Sequence, residues 1–438
     1  MKLKKSIPQP VKNLYHLARA IFANVRYGFP SRKIKVIGVT GTNGKTTTCQ
    51  MIAKILEEAG HRVAMTSTIN FKLGEKEWVN ATKFTTISAF ATQKFIAQAV
   101  KDGCEYLVLE TSSHSLDQYR VWGIKYDVAV ITNMTREHLD YHKTMEEYRQ
   151  AKLKLFCNVK TAIVNLDMEQ PEEFLNSVAE NIYGYSTKNP MPTGRQENIN
   201  LKMQNDNAKL KIINADDIEL GINGSEFCVD KNKFKLNLPG LFNIENALAA
   251  TCVGISEGID LRVIKNALGK IAKVLGRMDG VENDLGLKII IDYALTPDSM
   301  EKLGVLISQQ KKANQSLIWV FGSCGERDRG KRPIMGEIVS RYADYILVTN
   351  EDPYGEDPMQ IINEVASGVK NKKEGENFWC IFDRREAIAK ALKLAKFGDI
   401  ILVTGKGAEE IMLVGDKRLP WNDRKVIEEE LRKIRTTD

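Results

Sequence analysis

The chain has 438 residues, 43% of them apolar, and a formal net charge of +7; that length exceeds what one hydrophobic core usually spans, so two or three domains are expected. The positive balance is mild and comes without an aromatic-interleaved basic patch, which excludes a nucleic-acid binder and suits anionic small-molecule substrates. Seven cysteines (Cys49, Cys104, Cys157, Cys228, Cys252, Cys324, Cys380) form no CxxC pair, which argues against a zinc ribbon and a secreted disulfide framework and points to the cytoplasm.

Residues 1–33 open with Lys2, Lys4 and Lys5 and continue as an amphipathic stretch. Val11, Leu14, Ile21, Phe22 and Val25 fall roughly on one face, with Lys12, Arg19 and Arg26 elsewhere. Its apolar run is too interrupted by charge for a signal peptide or a membrane span. The stretch is expected to dock on the domain that follows, as short helices beside large domains do; a weak contact with an anionic membrane surface is the alternative.

The organising stretch is KVIGVTGTNGKTTT, residues 35–48. Val36-Ile37-Gly38-Val39 reads as a buried strand, Gly41-Thr42-Asn43-Gly44 as a tight turn, and Lys45-Thr46-Thr47-Thr48 as the first turn of a helix. Glycines there let consecutive backbone N–H groups converge on an anion, and the helix N-terminus adds its positive dipole end. Lys45 would reach the β- and γ-phosphates, and the Thr46 hydroxyl would ligate Mg²⁺. Val39 stands where the strict P-loop pattern has its first glycine, so only the GK[ST] half is met.

From 34 to about 165 the pattern alternates strands (35–39, 62–65, 106–110, 128–132, 161–165) with helices (46–59, 88–101, 145–156), a doubly wound α/β sheet. Ligands gather at the carboxyl ends of such strands. Glu110-Thr111-Ser112-Ser113-His114 ends one and Thr132-Asn133 the next. Residues 185–240 turn rich in Asn, Lys and Asp, with short alternating runs at 210–213 and 234–238 that read as an antiparallel flap. Helices return at 243–256 and 260–267, and a composition shift at Leu275-Gly276-Arg277 suggests a linker. A second, Rossmann-like α/β unit follows, with strands at 288–291, 317–321, 345–348, 378–381 and 400–403. The expected domains are 1–33, 34–275 and 276–438, with a cleft in which reactants carried by two units would meet.

Glu110, after the apolar strand Tyr106-Leu107-Val108-Leu109, reads as a Mg²⁺ ligand, with a helix N-cap or surface acid as the bland alternative. Three of the five histidines, His114, His138 and His142, cluster near it. His138, Asp140 and His142 could hold zinc, but a hard-cation and phosphate environment suits the neighbouring cradle better.

These motifs resemble the Mur ligases, nearest the UDP-N-acetylmuramoyl-tripeptide synthetase branch. The resemblance is carried in order by Gly41–Thr46 as quoted, the Glu110 to His114 run, the stretch from Asn133 to His142, Lys152 with Leu155-Phe156, and Gly240-Leu241-Phe242-Asn243 with Asn246. It continues through Gly276-Arg277-Met278, Asp292-Tyr293-Ala294, and the run from Gly325 to Pro333, so that it covers about 34–434. It implies an ATP- and Mg²⁺-dependent amide ligase of peptidoglycan precursor synthesis. An acceptor carboxylate attacks the γ-phosphate to give an acyl phosphate, and the amine of an incoming amino acid then displaces phosphate. Joining two anions needs charge neutralisation from Lys45 and Mg²⁺, and the second step needs positioning more than a strong base.

By that resemblance Thr46 and Glu110 hold one Mg²⁺, and His138 joins a second site with Lys152 if its amine is carbamylated, since an ammonium cannot ligate a cation. Gly41 through Thr47 cradle the phosphates, and Asn243 and Arg277 contact the nucleotide. Thr85, Thr86, Ser112, Gln118 and Arg120 bind the muramoyl-peptide acceptor; Arg327, Glu351, Asp352, Tyr354, Gly405 and Glu409 form the amino-acid pocket. Expected partners are these small molecules, with no nucleic acid, and the expected state is a monomer in the cytoplasm.

The chain also departs from the family. Only about 33 residues precede the cradle, where the family has a domain gripping the uridine nucleotide, so either a UDP-linked acceptor is held loosely or the carrier differs. Diaminopimelate-adding enzymes read Asp-Asn-Pro-Arg where this chain has Glu351-Asp352-Pro353-Tyr354; two acids and a tyrosine suit a cationic side chain such as lysine or ornithine. Leu295 and Ala408 replace two family histidines and are given no role. A folate or cyanophycin-type acceptor and a non-catalytic nucleotide-binding relative are the competing readings. Intact Lys45, Glu110, His138 and Lys152 favour activity.

Overall fold

The computed structural model describes residues 8–188, 209–221 and 223–435; Lys2, Lys4, Lys5 and much of the expected 185–240 insert lie outside them. The chain divides into two compact units. One holds the residues up to Met134 together with Thr144–Ala272, and the other Thr135–Lys143 together with the chain from Lys273 onward.

The first unit opens with α1 (Gln9–Tyr27). Then come β1 (Lys35–Thr40), α2 (Lys45–Glu58), β2 (Val63–Thr66), β3 (Asn70–Leu73), β4 (Lys76–Val79), α3 (Ala89–Lys101), β5 (Tyr106–Glu110), α4 (Ser113–Asp117) and β6 (Val128–Ile131). After the second unit's nine-residue segment the chain returns with α5 (Met145–Leu153), β7 (Thr161–Asn165), β8 (Asn181–Ser186) and β9 (Lys209–Asn214). These strands make one nine-stranded sheet in the order β4-β3-β2-β5-β1-β6-β7-β8-β9. It is parallel from β2 to β9, with β3 and β4 as an antiparallel hairpin at one edge. β1 is flanked by β5 and β6, so the turn after β1 opens into the crevice where the winding direction reverses, the ligand position of an open α/β sheet. The central strands are unbroken apolar runs, such as Leu107-Val108-Leu109, because helices cover both faces.

The 185–240 region requires a correction. Residues 209–214 do not join a flap: β9 pairs in parallel with β8, Ile182 opposite Leu210 and Gly184 opposite Ile212, and Leu210 and Ile212 pack on the main core. The antiparallel sheet is smaller, β10 (Asp216–Gly221), β11 (Gly224–Val229) and β12 (Asn232–Leu236), held by Phe227 stacked on Phe234 at 5.1 Å. Then α6 (Leu241–Ser256) and α7 (Leu261–Gly269) pack against α2.

Helix α1 docks on this unit, but not through its apolar face. Ala20, Ala23 and Asn24 are buried, while Val11, Leu14, Phe22 and Val25 stay exposed. Small residues permit the close approach, and Asn24 Nδ2 donates to Trp122 O at 2.8 Å, an anchor that hydrophobic periodicity does not reveal.

The second unit is a six-stranded sheet in the order β13-β14-β18-β15-β16-β17. Its strands are β13 (Asp279–Val281), β14 (Lys288–Asp292), β15 (Leu317–Phe321), β16 (Tyr345–Thr349), β17 (Phe378–Ile381) and β18 (Ile400–Thr404); all pairs are parallel except β13 with β14. Helices α8 (Pro297–Gln310), α9 (Lys331–Tyr342), α10 (Pro358–Ala366), α11 (Arg384–Leu394) and α12 (Asp423–Arg435) accompany it, and β19 (Ile411–Val414) and β20 (Lys417–Pro420) form a hairpin. Residues 275–277 are a tight turn: Arg277 N donates to Val274 O at 3.0 Å, and at Gly276 (φ +65°) a Cβ would collide with the Ala408 amide. The segment Thr135–Lys143 belongs here because Lys331 Nζ meets Glu137 Oε1 at 2.9 Å in a buried ion pair and also donates to Leu295 O at 3.0 Å.

Candidate active site

In the first unit the turn after β1 is shaped for close backbone approach. Gly41 has φ +149° and Gly44 φ +82°; a Cβ at the first would overlap the Thr132 hydroxyl, and at the second the Asn246 side-chain carbonyl. The loop is pinned from β6: Asn133 Oδ1 accepts from Asn43 N at 2.9 Å, and Thr132 Oγ1 donates to Asn43 O at 2.6 Å. Lys45 folds over it, Nζ donating to Gly41 O at 3.0 Å and Thr42 O at 2.8 Å. Helix α2 starts with no side-chain cap and no acid of its own in the first turn, so the backbone N–H groups of its dipole end are not taken by a capping side chain and face the loop, as an anion site requires.

Glu110 ends β5 beside this turn. Its carboxylate accepts from Thr46 Oγ1 at 3.0 Å, Thr68 N at 2.7 Å and Thr68 Oγ1 at 2.9 Å. A carboxylate touching the hydroxyl that follows the P-loop lysine fits a hard cation. Thr68 went unnoticed in the sequence; the signal was the polar run Thr66-Ser67-Thr68 at the carboxyl end of β2, next to β5. Around the same carboxylate lie most of the expected acceptor residues. Thr86 Oγ1 donates to Glu110 O at 2.9 Å and accepts from Ser112 N at 3.0 Å; Arg120 Nη1 donates to Thr86 O at 2.8 Å; the Thr85 and Thr68 hydroxyl oxygens are 3.0 Å apart. Gln118 caps the far end of α4.

Lys152 on α5 is fully enclosed, its Nζ 4.3 Å from the centre of the Tyr148 ring, and Tyr148 in turn touches Thr42 at 3.2 Å. Burial, reinforced by Lys45, pushes its pKa well below the ordinary lysine value. No carboxylate among the described residues pairs with it. The neutral form of a lysine amine is the one that adds CO₂, and a carbamate there would carry the oxygen that an ammonium lacks. Asn243 and Asn246 on α6 are buried, Asn243 donating to Pro239 O at 2.8 Å and Asn246 accepting from Thr48 at 3.2 Å.

The second unit carries the remaining expected residues. His138 begins the short turn Leu139–His142 in a left-handed conformation, φ +59°, and Arg277 lies over the Tyr293 ring at 4.6 Å. Among the described residues no group of three His, Cys, Asp or Glu is arranged to hold a metal ion. The expected amino-acid pocket gathers around β16, β18 and their following loops. Glu351 is buried: Oε1 accepts from Cys324 Sγ at 2.9 Å, and Oε2 has no hydrogen-bond partner among the described residues. Gly405 (φ +107°) makes room for it, since a Cβ there would press on Oε2. Burial raises the Glu351 pKa. Asp352 is engaged by Lys406 Nζ at 2.8 Å, which also reaches Glu409 Oε2 at 2.6 Å. Burial pulls the Lys406 amine down, but Glu409 and Asp352 more than offset this and hold its pKa above the usual value. Arg327 lies over the Tyr354 ring at 5.4 Å without an ion pair to a carboxylate among the described residues, and burial lifts the Tyr354 hydroxyl to a pKa of about 12.

A phosphate nest with a hard-cation carboxylate at its edge defines the class as a P-loop enzyme that uses ATP. Residues 39–254 match the Mur ligase middle domain, and residues 276–407 match the family described as Mur ligase, glutamate ligase domain. The chain is 39% identical over 424 residues to the UDP-N-acetylmuramoyl-L-alanyl-D-glutamate--2,6-diaminopimelate ligase of Syntrophomonas wolfei, covering 95% of this chain and 82% of that one. It is 36% identical over 428 residues to the UDP-N-acetylmuramyl-tripeptide synthetase of a Roseiflexus species, covering 93% and 80%. A solved UDP-N-acetylmuramoyl-L-alanyl-D-glutamate--2,6-diaminopimelate ligase superposes with a TM-score of 0.59 at 30% identity, covering 92% of this chain and 79% of that one. The chain belongs to the Mur ligase family. It is an ATP-dependent amide ligase of peptidoglycan synthesis that acts on small molecules with ATP and Mg²⁺. No helix among the described residues is long and apolar enough to cross a membrane.

Proposed function

We propose that this chain adds a cationic amino acid of the lysine or ornithine type to the free carboxylate of a UDP-linked muramoyl-dipeptide acceptor. The observation that carries the acceptor side is the meeting of two residue sets on Glu110: its carboxylate accepts from Thr46 of the cradle, while its main-chain carbonyl accepts from Thr86. The phosphate nest and the threonine–serine–arginine cluster of Thr86, Ser112 and Arg120 are thus joined through one residue. Thr46 and Glu110 would hold Mg²⁺, which would supply charge neutralisation at the phosphates when bound. Lys45 turns from the loop carbonyls to the γ-phosphate and offsets its charge as the acceptor carboxylate attacks, giving an acyl phosphate and ADP. Arg120 suits the acceptor's remaining anionic group. The amino acid's neutral amine then attacks the acyl carbon, and phosphate leaves.

The amino-acid side rests on Glu351 and Arg327. A buried carboxylate with one oxygen unpaired among the described residues favours a distal ammonium; an exposed guanidinium that makes no ion pair with a carboxylate among the described residues is available to the α-carboxylate. Tyr354 stands where a second arginine would clamp another carboxylate. Cytoplasmic action as a monomer fits a supply of ATP and soluble substrates. The test is phosphate release with ATP, UDP-linked dipeptide acceptor and a panel of amino acids. Release that requires both acceptor and lysine or ornithine supports the proposal; release without acceptor, or with no pair, removes it.

A further inference from the structure

Helix α1 is bound to its unit along one flank, with Phe22 and Arg19 also reaching Phe90 of α3 at 5.6 and 5.9 Å from its ring centre. Its buried side is Ala20, Ala23 and Asn24, with Asn13 reaching Asp117 O at 3.3 Å lower on the same flank. The opposite side is apolar and open: Val11 is 55% exposed, Leu14 66%, Phe22 61% and Val25 62%, with Tyr15, Ala18 and Ile21 also exposed between them. At 100° per residue these seven positions form one continuous stripe. Along one border run Lys12, Arg19 and Arg26, each seven residues from the last and therefore nearly in line. The first acid in the sequence is Glu57, and Arg32 and Lys33, just beyond the helix, are exposed as well. Asp117, the acid beside the buried flank, is paired with Lys154 at 2.8 Å.

We propose that this face of α1 is a docking surface for an anionic lipid bilayer, with the helix lying in the plane of the headgroups. The stripe would enter the boundary between headgroups and acyl chains, while the cation row meets lipid phosphates; both terms are needed for a helix of this length to hold a protein on a membrane. A crossing orientation is ruled out by the charges, and the helix is too polar to span. A second copy of the chain fits less well, because pairing the stripes would bring two cation rows together with no acid in the segment to separate them. None of the stripe or row residues belongs to the catalytic or substrate-binding sets, so the surface is separable from turnover.

The test is co-sedimentation of the full chain with vesicles of phosphatidylglycerol and phosphatidylcholine against vesicles of phosphatidylcholine alone. Binding should favour the anionic vesicles and fall with added salt. Both the Leu14→Glu/Phe22→Glu and the Lys12→Gln/Arg19→Gln/Arg26→Gln variants should lose at least about tenfold in vesicle affinity, with melting temperature and turnover of soluble substrates retained. Wild-type protein that ignores anionic vesicles, or either variant binding as the wild type does, overturns the proposal. A concentration-dependent dimer abolished by Leu14→Glu/Phe22→Glu would give the surface to a second copy and overturn it equally. Failure on vesicles with normal ligase turnover would leave the catalytic reading standing.

Discussion

Thr46 Oγ1 donates to Glu110 Oε2 across 3.0 Å, joining the first turn of α2 to the end of β5. The threonine oxygen and the carboxylate are thereby held side by side, a ready pair of hard oxygen ligands. Glu110→Gln keeps the size of the side chain but removes its charge, so kcat should fall by about 10²-fold or more. The Mg²⁺ concentration for half-maximal rate should rise. Phosphate release measured across a Mg²⁺ series checks both, and an unchanged Mg²⁺ dependence would remove Glu110 from the metal set.

Lys152 gives a prediction readable without turnover. Its amine is enclosed, has no carboxylate partner among the described residues, and has Lys45 as its charged neighbour, so a carbamate facing Lys45 should be better accommodated than an ammonium. Added bicarbonate should therefore raise the melting temperature of the wild type but not of Lys152→Met. Lys152→Ala should lose most turnover and regain part of it with short carboxylic acids; no rescue would count against the modification.

The same residue sets a pH dependence. Its folded pKa lies below the ordinary 10.5, so in the window between the two the unfolded chain binds more protons. Stability without CO₂ should then rise with pH across that window and fall as pH drops toward the folded pKa. Lys152→Met should flatten that slope, as denaturant titrations at a series of pH values would register.

In the second unit Arg384 and Asp423 are fully buried against each other, Nε to Oδ1 at 2.9 Å and Nη2 to Oδ2 at 2.7 Å, with Arg384 also donating to Thr404 O at 2.8 Å. Removing one partner strands the other. Asp423→Asn should cost about 3–5 kcal/mol in urea unfolding. Arg384→Met/Asp423→Leu should recover much of that loss, and equal damage from single and double variants would show that packing, not charge, is at stake.

At the amino-acid pocket, Tyr354→Arg should shift the ratio of kcat/KM values from lysine toward diaminopimelate by at least about tenfold, the scale of one charge-assisted contact. Competition between the two amino acids for one acceptor measures it. A wild-type preference for diaminopimelate would remove the assignment of Glu351 to a distal ammonium.

Much of the architecture could be read from residue order because the chemistry there is local. Tyr106–Glu110 and Thr161–Asn165 are short apolar runs bounded by polar residues, and both strands occupy those residues. The cradle announced itself through Gly41, Gly44 and Lys45 for the same reason. What escaped depends on partners remote in sequence. Leu210 and Ile212 alternate like a flap strand, yet the parallel edge beside β8 claims them. The hairpin of β3 and β4 passed unnoticed because Lys76–Val79 is exposed along its whole length and has no buried face to give a period. Helix α1 showed the right periodicity with the wrong face inward, since Ala20, Ala23 and Asn24 fit closely where bulkier residues would not. Thr68 is visible only once β2 is known to lie beside β5.

The nine residues Thr135–Lys143, folded with the second unit although both flanking stretches belong to the first, bear on how the protein can be taken apart. A gene fragment starting at Lys273 would encode every strand of the six-stranded sheet and still lack Glu137, leaving the ammonium of Lys331 sealed in without its counter-charge. Such a fragment should express poorly or aggregate, and adding the missing nonapeptide in trans would be the natural remedy. The two halves are thus interleaved in the genetic text, and neither is a cassette that can be transplanted by cutting once.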